Sequence, residues 1–282
     1  MEYALLMLIV IFVTVQNVMS KKYNVDIRHQ NVFLFNAVTA FAALIFFLVS
    51  SGFRLDFNIE FLPYSLLFAL AHSSASIGLV LAIKYGSLSI TSLIISYSLL
   101  LPTLHGIIFL DERLGSTSYI GMGLLLISLF LVNIKKEDVK LSALWVVFTV
   151  ITFIGNGMCS VVQKIEQTVF DGAYKSEFMM VALFASAVVS LVLGLVSAKS
   201  LKQEIKGTLS CGIAKGLANG ATNLLVMIIT GALASSVVFP TISAGGIVLT
   251  FIIAVTVYKE RLSKLQLLGY AAGIISVILL NI

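Results

Sequence analysis

The stretch that decides the fold is Glu112-Arg113-Leu114, which closes one long apolar run, opens another, and recurs as Glu260-Arg261-Leu262. When the chain is shifted by 148 positions onto itself, residues 112–134 match residues 260–282 at nine of 23 positions. The matches beyond the motif include Gly121 with Gly269, Ser128 with Ser276 and Asn133 with Asn281. Such self-similarity indicates two copies of one structural unit.

Composition places these units in a membrane. The chain is 59% hydrophobic and 11% charged, with a mean hydropathy of +1.07, whereas soluble domains carry about 25% charged residues. A membrane-spanning helix needs about 20 apolar residues, and a barrel strand only about ten with alternating polarity. Apolar runs of the helical length predict ten spanning helices, at roughly 3–20, 32–51, 61–83, 88–110, 118–134, 141–163, 177–198, 208–230, 233–257 and 265–282.

The predicted fold is therefore an all-α integral membrane protein with five helices in each repeat. We expect the first repeat to span 1–137 and the second to span 138–282, with the polar segment 135–140 between them. A unit with an odd number of helices starts and ends on opposite sides, so its copy must be inverted. Inverted repeats are typical of transporters that expose one central site to each side in turn.

The basic residues predict an orientation. Counted by side, 13 lie in the connectors after odd-numbered helices and four on the opposite side. The positive-inside rule then places both termini outside the cytoplasm. We expect the first helix to be retained, because Met1-Glu2 provides no basic region of a signal peptide.

Several classes of protein are disfavoured. The net charge of +5 comes from residues at helix ends, so it does not indicate nucleic-acid binding. Cys159 and Cys211 both lie in apolar runs, which favours free thiols over a disulfide or a metal pair. The membrane segments contain no HExxH motif, no cluster of metal ligands and no Ser-His-Asp set. We therefore expect no enzymatic activity, no cofactor and no metal.

The eighth helix carries the sharpest candidate site. Lys215, Asn219 and Asn223 are spaced by four, so they share one helix face, with Thr222 beside it. An ionisable residue inside a membrane helix usually faces a cavity or a partner. Lys215 could attract an anionic group while the amides hydrogen-bond the rest of a ligand. Alternatively, the helix starts later and Lys215 extends to the membrane interface.

Other polar residues in the helices are candidates for the same cavity. His72 and Ser76 share a face of the third helix, where His72 could bind substrate, carry a proton or form an interhelical hydrogen bond. Asn156 in the sixth helix, with Asn17 as its rough counterpart in the first, could line a cavity or join two helices. Tyr97 in the fourth helix could line the cavity or serve packing.

Two further features bear on mechanism. Pro240, followed by Gly245-Gly246, predicts a kink or a short unwound stretch in the ninth helix. The middle of the predicted helices contains no Asp or Glu. Proton coupling would then have to use His72, His105 or a carboxylate at a helix end, or be absent.

The chain resembles the drug/metabolite transporter superfamily in its EamA-like branch. The residues that carry the resemblance are Ala82-Ile83-Lys84-Tyr85-Gly86, the Ser-rich helix after them and Asp111-Glu112-Arg113-Leu114. The resemblance implies transport of a small molecule through a cavity lined mainly by helices 1, 3, 4, 6, 8 and 9. It also implies cytoplasmic termini, which is the reverse of the orientation that the basic residues predict.

The leading interpretation is a secondary transporter of a small polar metabolite, with an anionic substrate favoured by Lys215. A passive facilitator or exchanger and a lipid flippase are the alternatives, and a membrane enzyme or scaffold fits least. We expect membrane lipids but no nucleic acid as partners, and a monomer or homodimer. Residues at the two mouths are predicted to act at gates or at the membrane interface: Glu112, Arg113, Glu260 and Arg261.

Overall fold

The computed structural model describes residues 2–26, 30–53, 58–85, 91, 94, 97–112, 115–133, 142–256 and 263–280. This part of the chain is helical, without β-strands. The ten α-helices in it are α1 (Glu2–Asp26), α2 (Val32–Ser50), α3 (Leu62–Tyr85), α4 (Leu100–Phe109), α5 (Ser116–Asn133), α6 (Ala143–Val169), α7 (Lys175–Ser197), α8 (Leu201–Ala232), α9 (Ser235–Thr256) and α10 (Lys264–Leu280).

Helix length and outward-facing residues fit a lipid environment. Within the described residues, six helical segments are long and apolar enough to cross a membrane, and two shorter apolar helices lie at 100–109 and 116–131. Large apolar side chains point outward from these helices, as in Met7, Leu70 and Val196, which are 60%, 68% and 83% exposed. Lipid tolerates such a surface, because every helical backbone group is bonded within its own segment.

Three helices differ from the bounds predicted by hydropathy. Helix α6 continues to Val169, six residues beyond its predicted end, and α8 begins at Leu201, seven residues before its predicted start. Helix α4 is regular only from Leu100, after a 3-10 turn at Tyr97–Leu99. The extensions of α6 and α8 contain polar residues that hydrophobicity alone assigns to connectors, although buried partners keep several of them inside the bundle.

The helices pack in pairs that join the first five helices to the last five. Helix α1 packs on α8, α3 packs on α6, α2 packs on α7 and α8, and α5 packs on α10. Glycines permit two of these contacts. A Cβ atom on Gly216 would collide with Thr39 and Ala42 of α2, and one on Gly155 would collide with the Ala71 carbonyl of α3. Small residues let the backbones of neighbouring membrane helices approach closely.

Helix α9 passes through Pro240 without an unwound stretch. The residues from Ser235 to Thr256 are all helical, with Pro240 inside the helix. Pro240 lies in the second turn, close to the N-terminal positions where a missing backbone donor costs least. The expected unwinding is therefore absent. Cys159 and Cys211 are both free, as the sequence predicted.

Candidate functional site

The inner face of α8 brings the predicted residues into one row. Lys215, Asn219 and Asn223 lie on the side opposite Ile213 and Leu217, each of which is 45% exposed on the outer face. Four residues of helix rise by about 6 Å, so the row descends in steps of that size towards the end of the bundle that contains Glu112. We call that end the Glu112 mouth. Because α8 begins at Leu201, Lys215 lies near the middle of the helix rather than at its start.

Lys215 has an aromatic neighbour but no counter-ion. Its Nζ lies 4.8 Å from the centre of the Phe35 ring. Phe35 stacks in turn on Tyr23, with ring centres 4.1 Å apart. Among the described residues, no carboxylate forms an ion pair with Lys215. A cation over an aromatic face gains about 0.5–2 kcal/mol, which is less than burial of an ammonium group costs.

His72 on α3 faces the same interior space. The charge of Lys215 acts electrostatically on His72, so the two side chains are neighbours across the bundle. The His72 ring stacks on Phe68 at 6.0 Å, and its buried Nδ1 has no hydrogen-bond partner within the described structure. Ser76 lies one turn further along the same face and is partly buried. The predicted interhelical hydrogen bond of His72 is therefore not observed at Nδ1.

Gln16 on α1 is a site residue that sequence reasoning missed. Its Nε2 donates to Thr222 Oγ1 at 2.8 Å, and its Oε1 accepts from Asn219 Nδ2 at 3.0 Å. Its neighbour Asn17, which the sequence favoured, is exposed. Gln16 lies roughly 140° around the helix from Ile11, an outward residue, which is the signal that would have distinguished the two amides.

Asn223 continues the network towards α6. Gln163 Nε2 donates to Asn223 Oδ1 at 2.8 Å, and Asn223 Nδ2 donates to Asn219 Oδ1 at 3.0 Å. Three helices are thus joined through side-chain amides, and the sequence had assigned Gln163 only to the end of a span. We call the resulting group the inner polar cluster; it consists of Gln16, Gln163, Lys215, Asn219, Thr222 and Asn223.

Asn156 and Tyr97 have different surroundings. Asn156 Nδ2 donates to Ser98 Oγ at 2.6 Å, yet the residue is exposed. It lies roughly 160° around α6 from the outward-facing Ile154, so this exposure is to the interior of the bundle rather than to lipid. Tyr97 donates its hydroxyl to the Leu126 carbonyl at 3.1 Å and packs between α5 and α9. Its observed contacts are those of a packing residue.

At the Glu112 mouth, one carboxylate joins three elements. Glu112 accepts hydrogen bonds from the backbone N–H groups of Ser235 and Ser236, at 2.9 and 3.1 Å, where α9 begins. Its Oε1 lies 3.5 Å from Lys164 Nζ of α6, and both side chains are nearly buried. Lys164 also donates to the Thr230 carbonyl of α8 at 2.6 Å. A carboxylate is well placed at a helix N-terminus, where unpaired N–H groups and the helix dipole favour negative charge.

Gly106 makes room for this carboxylate. A side chain at position 106 would overlap the Glu112 carboxylate, so the absence of a Cβ atom permits the contact. The other predicted mouth residues, Arg113, Glu260 and Arg261, lie outside the described residues. The Glu112 mouth therefore represents the predicted gate residues for which contacts can be given.

A cavity of about 450 Å³ opens beside the same mouth. Its lining comes from the ends of α6 and α8 and the turn before α7, and includes Lys164, Gln167, Asp171, Lys175, Thr230 and Gly231. Two cations and an acid line it, so its wall is mixed in charge. No group of three or more His, Cys, Asp or Glu residues that could hold a metal ion occurs in the described ranges.

The apolar helices and their buried polar interior define a multi-pass transmembrane protein. Residues 1–134 match the model of the EamA-like transporter family. Over this range the chain belongs to that family, within the drug/metabolite transporter superfamily, which confirms the family predicted from the sequence.

Structural similarity extends beyond the matched segment. A solved structure described as "Crystal structure of protein" superposes with a TM-score of 0.78 and 13% sequence identity, covering 100% of this chain and 98% of its own. Identity at that level shows a shared fold and carries no information on substrate. Comparison with curated proteins yields no match.

Proposed function

We propose that the protein is a secondary transporter that moves a small polar, anionic metabolite by alternating access. Membership of a transporter family supports transport as the general activity. The substrate and the mechanism rest on the geometry of the inner polar cluster and of the Glu112 mouth. A central site that opens to each side in turn requires two gates and a bundle that can rock between them.

The helix pairs support two inverted repeats of five helices, divided between 1–137 and 138–282. Exchanging each helix with the one five positions away converts the α1–α8 pair into α6–α3, and the α1–α9 pair into α6–α4. The same exchange leaves the α2–α7, α4–α9 and α5–α10 pairs unchanged. A pseudo-two-fold axis through these three pairs would relate the halves, as in other transporters with inverted repeats.

The observation that carries the substrate class is the charge of Lys215 without a counter-ion. A ligand with a carboxylate or phosphate group would supply the missing negative charge in the middle of the membrane. Asn219, Thr222 and Asn223 would exchange their mutual hydrogen bonds for bonds to the ligand. His72, Ser76 and Asn156 would complete the site from α3 and α6, and Tyr97 would support its wall.

The Glu112 mouth is the proposed gate on one side. Its contacts tie the α4–α5 connection to α6 and to the start of α9, so the mouth cannot widen without separating Glu112 from Lys164 or from Ser235. Gln16 and Gln163 cross the space between this gate and Lys215. These links favour a closed pathway between the middle of the bundle and the Glu112 mouth.

A ligand screen tests the proposal. Purified protein in detergent is heated with carboxylates, phosphorylated compounds, amino acids, nucleosides and sugars, because a ligand that binds the folded form raises the melting temperature. We expect a set of anions to stabilise the protein, and the same anions to enter proteoliposomes by counterflow. Stabilisation by neutral compounds alone would contradict the anionic substrate. Binding without any counterflow would contradict transport.

The orientation proposed from the basic residues has both termini outside the cytoplasm. Lys202 lies exposed near the start of α8, and Asp171 lies exposed between α6 and α7, at opposite ends of the bundle. Single Lys202→Cys and Asp171→Cys variants are treated in intact cells with a membrane-impermeant maleimide. We expect labelling at position 171 and protection at position 202, and the reverse pattern would overturn this orientation.

A further inference from the structure

The carboxyl group of Glu166 is buried in α6 without a cation. Glu166 is 0% exposed and lies one turn before the end of the helix. Its Oε2 accepts a hydrogen bond from Gln167 Nε2, and its Oε1 has no partner. Hydropathy ended the predicted helix before this residue, and so placed no carboxylate in the middle of a spanning segment.

Nearby charges do not neutralise this group. Lys175 and Glu177, at the start of α7, both act on it electrostatically and in opposite directions. Lys175 Nζ donates instead to the Gly172 carbonyl at 2.6 Å, and no Glu166 ion pair occurs among the described residues. The other ionisable groups on or next to the helices around α6 are Lys164, Glu112, His72, His105 and Lys215.

A carboxylic acid fits this environment better than a carboxylate. An unpaired buried carboxylate costs several kcal/mol of folding free energy, whereas a protonated carboxyl is neutral and gains an O–H donor. The adjacent Gln167 Oε1 is also buried without a partner. The two side chains already meet at Nε2 and Oε2, so one proton between their remaining oxygens would close an acid–amide pair and satisfy both atoms.

Gln167 also connects this pair to solvent. It lines the cavity of about 450 Å³ at the Glu112 mouth, together with Lys164 and Thr230 from the gate. A movement that widens this mouth would draw Gln167 away and admit water to the carboxyl group. Glu166 would then lose its proton to that water as a hydronium ion and remain as a carboxylate. The closing movement would reverse the same step.

We propose that Glu166 is a proton-binding site that couples opening of the Glu112 mouth to release of one proton. The inference rests on the proposed transport function and adds a coupling ion to it. The closed mouth holds Glu166 protonated against Gln167, and the open mouth holds it ionised in water. A proton gradient across the membrane would thereby bias which side of the transporter is open.

The first test needs no substrate. Infrared spectra are recorded for the wild-type protein, for Glu166→Gln and for the control Glu177→Gln, which neutralises a partly buried carboxyl on the neighbouring helix. We expect a protonated-carboxyl band at neutral pH that is lost in Glu166→Gln and kept in Glu177→Gln. An unchanged band in Glu166→Gln would overturn the proposal. If Glu166→Gln does not fold, Gln167→Leu should shift the band, and an unshifted band would overturn it.

The second test measures coupling. In a background of Cys159→Ala and Cys211→Ala, Thr230→Cys reports opening, because Thr230 is 1% exposed and lines the cavity. The ratio of its maleimide labelling rates with Glu166 and with Glu166→Gln is taken at each pH, which cancels the titration of the thiol. We expect that ratio to rise with pH, by up to about tenfold per unit, the limit for one linked proton.

A ratio that is flat with pH would overturn the coupling. Glu177→Gln in place of Glu166→Gln should give a flat ratio, and a matching rise there would also contradict the assignment to Glu166. The two proposals can fail separately. A lost infrared band together with a rising ratio supports the proton site even where counterflow shows no transported metabolite.

Discussion

Two lysines lie inside the helical bundle, and their surroundings differ. Lys164, at the Glu112 mouth, has a carboxylate at 3.5 Å and a backbone carbonyl at 2.6 Å. Lys215, near the middle of α8, has the face of Phe35 at 4.8 Å and no carboxylate among the described residues. One positive charge is therefore satisfied by the protein, and the other is left for something else.

The difference separates a residue that holds helices together from a residue that waits for a ligand. Lys164 links α6 to α8 and to the α4–α5 connection, so its loss should be measured mainly as lost stability. Lys215 makes few contacts of its own, so its loss should be measured mainly as lost binding. Substitutions at and around the two lysines can break or sharpen this distinction.

The largest effect is expected for Lys215→Met, which keeps the length of the side chain and removes its charge. A hydrogen bond to a charged group contributes about 1.5–3 kcal/mol, so anion affinity should fall roughly 10- to 100-fold. Isothermal calorimetry with the anions from the ligand screen measures it. Lys206→Met, at an exposed position of the same helix, is the control and should bind normally. Equal losses for anionic and neutral ligands would remove the role of charge.

The second effect is expected for Glu112→Gln and Lys164→Met, measured as free energy of unfolding. Each should destabilise the protein by about 1–3 kcal/mol, because a nearly buried partner is left unsatisfied. The double variant should lose less than the sum of the two, since one interaction connects them. Additive losses, or a loss of anion affinity as large as that of Lys215→Met, would erase the distinction between the two lysines.

A similar loss of stability is expected for Gly216→Ala, next to Lys215. The added methyl group would overlap Thr39 and Ala42 on α2, and overpacking typically costs about 1–3 kcal/mol. Gly123→Ala in α5 is the matched control, because its Cβ position has no neighbour within 4 Å. Thermal unfolding of both variants measures the effect. If Gly216→Ala were as stable as Gly123→Ala, the α2–α8 contact would not set the position of Lys215.

The smallest effect is expected for Gln16→Ala, which removes two hydrogen bonds to α8. Side-chain hydrogen bonds between membrane helices average about 0.6 kcal/mol, so stability should fall by roughly 1 kcal/mol. Asn17→Ala changes an exposed amide at the next position and should have no measurable effect. Equal melting temperatures for the two variants would mean that the inner polar cluster does not join α1 to α8.

Hydropathy and the repeat were sufficient to predict the helices, because lipid imposes length and apolar composition on any spanning segment. The ends of α6 and α8 were the exceptions. Gln163, Lys164 and Glu166 resemble connector residues by composition, and only their partners on other helices keep them inside the bundle. A single sequence contains no direct record of such partners, so tertiary contacts decided where those helices end.

The candidate site was predictable in part for the same reason. The four-residue spacing of Lys215, Asn219 and Asn223 placed them on one face, and α8 has them there. Which of two adjacent amides in α1 meets that face depends on the rotation of the helix, and a short polar motif does not specify it. The pairing of Glu112 with Lys164 depends on a contact over 52 positions, which hydrophobic periodicity does not encode.

The contact between α5 and α10 has a consequence for the origin of the fold. Ser128 Oγ donates to the Gly269 carbonyl at 2.7 Å, whereas Ser276, its match in the repeat, donates to Gly273 of its own helix at 2.9 Å. In a symmetric dimer of five-helix ancestors, both serines would have made the same bond, because an isologous interface repeats every contact. Once the two copies became one gene, each serine could change independently, and one cross-helix bond remains as a trace of the former dimer.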